Sequence, residues 1–169
     1  TGDNRYAGGT HLAAGVLSAA HGHALGSGAV NVAAGATLDI HDVTLALAPT
    51  AELRLAGVGA GGTVLAAGAL TGSGTHAAYH GPLFLASDAR INVPQADDTL
   101  TLKGAIAGAP AAALSKVGAG QLFVEARGSY TGKTIIEQGV LIAQTSDRVL
   151  GSGAVEVKTG GTLRVNDIL

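Results

Sequence analysis

Two glycine-rich segments of this chain have the residue spacing of phosphate-binding loops. Gly57-Val-Gly-Ala-Gly-Gly62 fits G-x-G-x-x-G, the pattern of a dinucleotide-binding turn. That turn must open a helix, and the following Thr63-Val-Leu-Ala-Ala-Gly68 does not have the features of a helix start. Gly132-Lys133-Thr134 resembles the end of a P-loop, but Arg127 stands where its first glycine is required. We interpret both segments as turns and predict no nucleotide site.

The histidines are the next residues that could do chemistry, as metal ligands. All six precede residue 81: His11, His21, His23, His41, His76 and His80. In an extended segment His21 and His23 share one face, which makes a half-site for zinc or copper. His76 and His80 could complete it only if their turns stacked nearby. Histidines exposed in turns are the simpler interpretation, so we predict no metal site.

The sequence contains few residues placed for acid–base or nucleophilic catalysis. Asp97-Asp98 is a carboxylate pair of the kind used by β-helical polysaccharide enzymes, but such sites need several charged residues converging across coils. The chain has only 12 acidic residues, and we interpret the pair as a polar turn. No serine lies in G-x-S-x-G, and no Ser/His/Asp set is recognisable from spacing. We predict no catalytic residue and no cofactor, and a chain that is not an enzyme.

The elements that would position these residues are short strands. Apolar residues recur at i and i+2, with mostly polar residues between them, which indicates strands buried on one side. Examples are Val30/Val32, Leu38/Ile40, Leu45/Leu47, Leu53/Leu55, Leu83/Leu85, Leu100/Leu102, Leu122/Val124 and Leu163/Val165. In the first half these pairs start seven or eight residues apart, separated by turn residues. No helical period is sustained, so we predict almost no helix.

Composition limits both the core and the partners. The 169 residues are 47% hydrophobic but only 3% aromatic, with 27 Gly and no Trp or Met, which predicts a thin interior of Leu, Val, Ile and Ala. Charged residues make up 13% and the net charge is −2, so nucleic acid is not an expected partner. The absence of cysteine excludes disulfides and Cys-based zinc sites.

A long internal repeat decides the architecture. Ten of the sixteen residues from Leu25 to Ile40 are identical to those from Leu150 to Val165, and the segment beginning at Tyr6 corresponds to that beginning at Tyr130. Self-similarity of this kind indicates stacked units. Three strand spacings sum to about one coil of 20 to 25 residues. The chain lacks the Asn-Gly and Asp-Gly turns and the aromatic core typical of a β-sandwich. We predict an all-β, right-handed parallel β-helix with three strands per coil, about seven coils and a length on the order of 35 Å.

The second copy carries a family resemblance. Lys116-Val-Gly-Ala-Gly-Gln-Leu-Phe-Val-Glu-Ala-Arg-Gly-Ser-Tyr-Thr-Gly-Lys-Thr-Ile-Ile-Glu-Gln-Gly-Val-Leu resembles the passenger-associated repeat of bacterial autotransporters (type V secretion). Leu150-Gly-Ser-Gly-Ala-Val and Gly160-Gly-Thr-Leu163 resemble its usual continuation. Arg127-Gly128-Ser129 and Val117 depart from the pattern in turns only. We expect one β-helical segment, 1–169, with repeat copies at about 1–40 and 116–165 and less regular coils at 41–115. It is expected to be part of a longer, pertactin-like or adhesin-type rod.

The resemblance implies a function at surfaces. It implies a virulence-associated stalk segment at the bacterial cell surface, anchored to or released from the outer membrane, which supports adhesion or self-association and vectorial secretion. Implied partners are a host cell-surface or matrix ligand, like passenger copies, and the protein's own C-terminal β-barrel translocator, which lies outside this chain. The alternative is an inert stalk carrying a separate catalytic domain, a subtilisin-like protease or a lipase.

Several structural expectations follow from the predicted strands. Leu38, Leu122, Leu141 and Leu163 should point inward, and Asp39, Lys158 and Arg164 outward. Outward threonines could hydrogen-bond a matching rod, for example Thr44, Thr63, Thr71 and Thr75. Tyr6 and Tyr130 should occupy the same coil corner with their hydroxyls near water, and the C-terminal half should be the more stable.

Overall fold

Parallel strands form the whole regular structure of the chain. The computed structural model describes residues 2–144 and 148–166, which contain seventeen strands and no helix. The strands are β1 Thr10–Leu12, β2 Gly15–Ala19, β3 Val30–Val32, β4 Ala36–His41, β5 Thr44–Leu45, β6 Leu53–Gly57, β7 Leu70–Ser73, β8 Ala77–Tyr79, β9 Leu83–Asn92, β10 Thr99–Leu102, β11 Ile106–Gly108, β12 Leu114–Val117, β13 Gln121–Val124, β14 Thr134–Ile136, β15 Gly139–Gln144, β16 Val155–Val157 and β17 Gly161–Asn166. The predicted all-β class is confirmed.

The strand registers define three faces of a β-solenoid. The first face stacks β1, β3, β6, the start of β9 and β11. The second stacks β2, β4, β7, the end of β9, β12, β14 and β16. The third stacks β5, β8, β10, β13, β15 and β17. Every pairing is parallel, and the chain makes about seven turns, as predicted from the repeat.

One coil is longer than the others. Along the second face Leu17, Leu38, Leu70, Ile91, Lys116, Ile136 and Val157 are successive register partners. Most steps in this column are 20 to 25 residues, but 32 residues separate Leu38 from Leu70. The extra residues lie between β6 and β7, in a segment without strands. We call residues 58–69 the covering loop.

The core is a narrow column of aliphatic side chains, as the composition predicted. Leu38, Leu122 and Leu141 are fully buried, and Leu163 in the last coil is partly buried against the same cluster. Lys158 and Arg164 are exposed, as expected. Tyr130 corrects one expectation: it is fully buried and its hydroxyl bonds to Thr134 Oγ1 at 2.6 Å, away from water.

The two repeat copies have the same local structure but occupy different faces. Tyr6 repeats the bond of Tyr130, with 2.7 Å between its hydroxyl and Thr10 Oγ1, and its carbonyl likewise accepts from a serine N–H one coil further on. The strand after Tyr6 is β1, on the first face, whereas the strand after Tyr130 is β14, on the second. The expectation of a shared corner is therefore wrong, because the second copy is displaced by one side of the three-sided coil.

Candidate functional site

The covering loop lies over the outer side of the second face. Thr37 Oγ1 donates to Gly68 O at 2.8 Å and accepts the backbone N–H of Ala60 at 3.0 Å. Two side chains from later coils also hold the loop: Thr71 Oγ1 donates to Leu65 O at 2.6 Å and Asn92 Nδ2 donates to Val64 O at 2.6 Å. Side chains from three successive coils thus fix the loop in place.

The outer side chains under and beside this loop form a buried polar ladder. Thr37, Thr71 and Asn92 have at most 2% of their surface exposed, although their positions on the strands point away from the core. This corrects the expectation that Thr71 offers a free hydroxyl to a matching rod. Its hydroxyl is used by the protein's own loop. Thr44, Thr63 and Thr75 are exposed as expected.

Asp39 also differs from the expectation. It was expected to point outward into water, and only 1% of it is exposed. Its carboxylate accepts the hydroxyl protons of Ser18 and Ser73, both at 2.7 Å. Burial of a carboxylate requires such donors, because an ionised group without them loses its hydration with no compensation.

This cluster brings serine, aspartate and histidine together, which the sequence spacing did not reveal. Ser73 Oγ lies 3.0 Å from His41 Nδ1 and donates its proton to Asp39. In a catalytic triad the serine instead donates to the imidazole, which the carboxylate orients. Here the serine stands between the other two groups, and its one proton is directed at the carboxylate. The arrangement bonds neighbouring coils and does not activate a nucleophile.

The remaining candidates from the sequence are turn residues. His21 and His23 have ring centroids 6.1 Å apart, and His21 Nδ1 accepts the His23 N–H. His76 lies elsewhere, with its Nδ1 3.5 Å from Asp42 Oδ1. The hydrogen bond from the His76 backbone N–H holds the pKa of Asp42 below its ordinary value. Within 2–144 and 148–166 no three His, Cys, Asp or Glu side chains are placed to hold a metal ion.

The acidic pair and the glycine motifs have structural roles. Asp98 accepts the N–H groups of Gly74 and Gln95 through its two oxygens and so fixes two turns, while Asp97 is exposed. Gly57, Gly59, Gly61 and Gly62 have φ between 72° and 93°, where glycine is favoured, and they open the covering loop. A Cβ on Gly132 would collide with the backbone of Ala112 in the preceding coil. Both segments are turns, as predicted.

Lys116 is a buried cation that sequence reasoning missed. It is fully buried on the inner side of β12, and its Nζ donates to three carbonyl oxygens: Val117 and Gly118 at 2.8 Å and Gln138 in the next coil at 3.1 Å. Burial lowers the pKa of Lys116 to about 8. The sequence does contain an indication of this burial: Lys116 follows Leu114 by two residues, so the two side chains lie on the same side of the strand.

A shallow groove runs along the corner between the first and second faces. Residues at this corner in four successive coils line it: 34–35, 57–58, 86–88 and 109–112. All of these are Ala, Gly, Val, Pro or Ser except Asp88, whose Oδ1 accepts the N–H of Ala113. The groove is therefore apolar and lined by small side chains, and Val58 joins it to the covering loop.

Comparison with known proteins gives one match. The family model of the passenger-associated-transport-repeat matches residues 1–19 and 114–143, which fall in the two copies of the internal repeat. No curated protein and no solved structure matches the chain. Among the described residues, no helix is long and apolar enough to cross a membrane.

The matched ranges coincide with structural units. The first contains the Tyr6 corner with β1 and β2, and the second contains β12 to β15 with Lys116 and the Tyr130 corner. The family implies an extracellular or cell-surface passenger, and the repeats on a solenoid suggest a stalk without catalytic function. With its passenger-associated transport repeats and its parallel solenoid of about seven turns, the chain fits a repeat segment of an autotransporter passenger.

Proposed function

We propose that this segment is a rigid spacer on the outer surface of a bacterium, anchored to or released from the outer membrane, and that it supports adhesion or self-association. The observation that carries the proposal is the parallel ladder of the second face, which continues from β2 in the first coil to β16 in the last, with ladders on the first and third faces along most of the same length. Each coil is bonded to the coils before and after it, so the segment resists bending and holds whatever it carries at a fixed distance.

The same ladder supports a role in secretion. The edges of β16 and β17 present backbone groups on which a further coil can pair. A chain that emerges at the outer surface can add coils one at a time to such an edge, and each added coil buries apolar surface. Stepwise burial of this kind favours outward movement of the chain.

Three measurements on the purified segment test the proposal. Small-angle X-ray scattering should give an elongated particle, and sedimentation together with binding to host cells or matrix protein should reveal self-association or a ligand. A compact scattering profile would contradict the spacer role. An elongated monomer that binds nothing would be consistent with the spacer role but would exclude adhesion and self-association by this segment.

A further inference from the structure

Three apolar side chains of the covering loop are exposed to solvent. Val58, Val64 and Leu65 are 55%, 68% and 38% exposed. Its backbone is nevertheless fixed, because Thr37, Thr71 and Asn92 bond to it from below. Exposed apolar groups on a fixed loop lose little conformational entropy on binding, so a surface of this kind is suited to a protein partner.

The apolar corner groove lies directly beside the loop. Val58 belongs to both, and the groove continues across neighbouring coils through Ala34, Ala86 and Pro110. The molecule therefore presents a protruding apolar loop and a recess lined by small residues on the same side. A two-fold interface between identical chains requires both features on one surface, because the same patch must fit itself.

The charge distribution also fits an identical partner. No Asp, Glu, Lys or Arg occurs from Leu55 to Thr75, whereas ion pairs such as Lys103–Glu125 and Lys133–Glu156 lie on other coils. The covering loops of two copies can approach without like-charge repulsion. Asp88 is the one charged residue that lines the groove; its Oδ1 accepts the N–H of Ala113, and the loop it would face is uncharged. Thr37, Thr71 and Asn92 beneath the loop are already bonded to it, so the contact that the surface offers is mainly apolar.

We propose that this surface docks a second copy of the chain, with the covering loop of each copy seated in the corner groove of the other, so that two rods lie side by side. The proposal rests on the self-association considered above and identifies the surface that performs it. It replaces the exposed threonines of the sequence analysis with an apolar contact.

Cross-linking tests the pairing directly, because the chain contains no cysteine. Val64→Cys and Ser87→Cys variants, both at exposed positions, are purified separately, mixed and oxidised. We expect a disulfide-linked pair of the two variants. Val64→Cys mixed with Gln138→Cys is the matched control, since Gln138 is exposed on a later coil away from the groove. Equal cross-linking in both mixtures would overturn the proposed geometry.

Sedimentation velocity over a range of concentrations separates this inference from the function on which it rests. We expect the wild type to associate, Val64→Asp to weaken association roughly tenfold or more because a charge enters an apolar groove, and Gln138→Asp to leave it unchanged. Association that is unaffected by Val64→Asp would overturn this surface but leave self-association standing. A wild type that remains monomeric throughout would overturn both, and the spacer role would remain.

Discussion

Tyr6 and Tyr130 make the same hydrogen bond in two different environments. Tyr6 is 43% exposed in the first coil, whereas Tyr130 is covered on both sides and fully buried. Burial raises the pKa of Tyr130 to about 12. Water can replace the bond at the first site but not at the second, so the energetic value of the same contact depends on the coil in which it lies.

Tyr130→Phe should lower the free energy of unfolding by about 1–2 kcal/mol, because it removes a buried hydrogen bond and leaves Thr134 Oγ1 with only its bond to Leu150 O. Tyr6→Phe is the matched control and should change it by less than about 0.5 kcal/mol, since solvent satisfies Thr10. Urea denaturation measures both. Equal losses in the two variants would contradict the burial argument.

Lys116 should make stability depend on alkaline pH. Its folded pKa of about 8 lies below the ordinary value of 10.5, so unfolding takes up a proton between these values. Stability should therefore rise with pH from about 8 to 10.5 through this group. The buried Tyr130 acts oppositely above pH 10, because its raised pKa means that stability is lost as the pH rises towards 12.

Denaturation at pH 7, 8, 9 and 10 tests the lysine. Lys116→Met keeps a long unbranched side chain without the charge, so the stabilisation between pH 8 and 10 should disappear. The exposed Lys133→Met is the matched control and should retain the wild-type slope. If stability still rises between pH 8 and 10 in Lys116→Met, a group other than Lys116 causes the pH dependence.

At the scale of the element, strand β13 shows how alternation determines orientation. Leu122 and Val124 are fully buried, while Gln121 and Phe123 are half-exposed. This alternation was readable from the sequence, as it was for Leu38 and Leu141. It fails where an element from outside the strand covers the outer side, because alternation reports only the direction of a side chain and not what lies above it.

Leu122→Asp should cost several kcal/mol and unfold the surrounding coils, because it places an unpaired charge in the core. Gln121→Asp, on the adjacent outward position, is the control and should stay within about 1 kcal/mol of the wild type. Leu163→Asp should be milder than Leu122→Asp, since Leu163 is only partly buried in the last coil. Circular dichroism during thermal unfolding would measure all three.

The covering loop marks the limit of prediction from the sequence. Residues 58–69 contain only Gly, Ala, Val, Leu and Thr, and their order has no period that indicates a position in space. Their path depends on bonds to Thr37, Thr71 and Asn92 from three different coils. Thr71 was therefore expected in water, although the loop covers it, and the groove at the corner was not foreseen. Asp39 was expected in water because its bonds to Ser18 and Ser73, in the coils on either side, cannot be recognised from local sequence. Local pattern predicts strands and stacking, but contacts between coils decide which outer residues are covered.

At the scale of the whole molecule, stability accumulates from coil to coil, and the ends are the least supported. Tyr6, Val16 and Leu17 are exposed in the first coil, as are Val155, Val157 and Val165 in the last. Their counterparts in the interior are buried, since a coil covers them on each side. The central coils should therefore open last.

Limited proteolysis should leave a resistant fragment that extends from about Asp88 towards the C-terminus. The core residues Ile136 and Leu141 of the second repeat copy are fully buried, whereas their counterparts Leu12 and Leu17 in the first copy are 7% and 37% exposed. Lys116 also bonds two coils of the second copy to each other through Gln138 O. Mass spectrometry of the resistant fragment provides the measurement. Preferential survival of residues 2–87 would show that the N-terminal half is the more stable.

The displacement of the two repeat copies by one face has a consequence for how such rods evolve. The homologous strands β2 and β15 lie on the second and third faces, so two different sides of the coil accept the same repeat sequence. Duplication or loss need not involve whole turns. A single strand with its corner is a sufficient unit of exchange, and a rod can lengthen in steps of one side while the stack above and below remains in register.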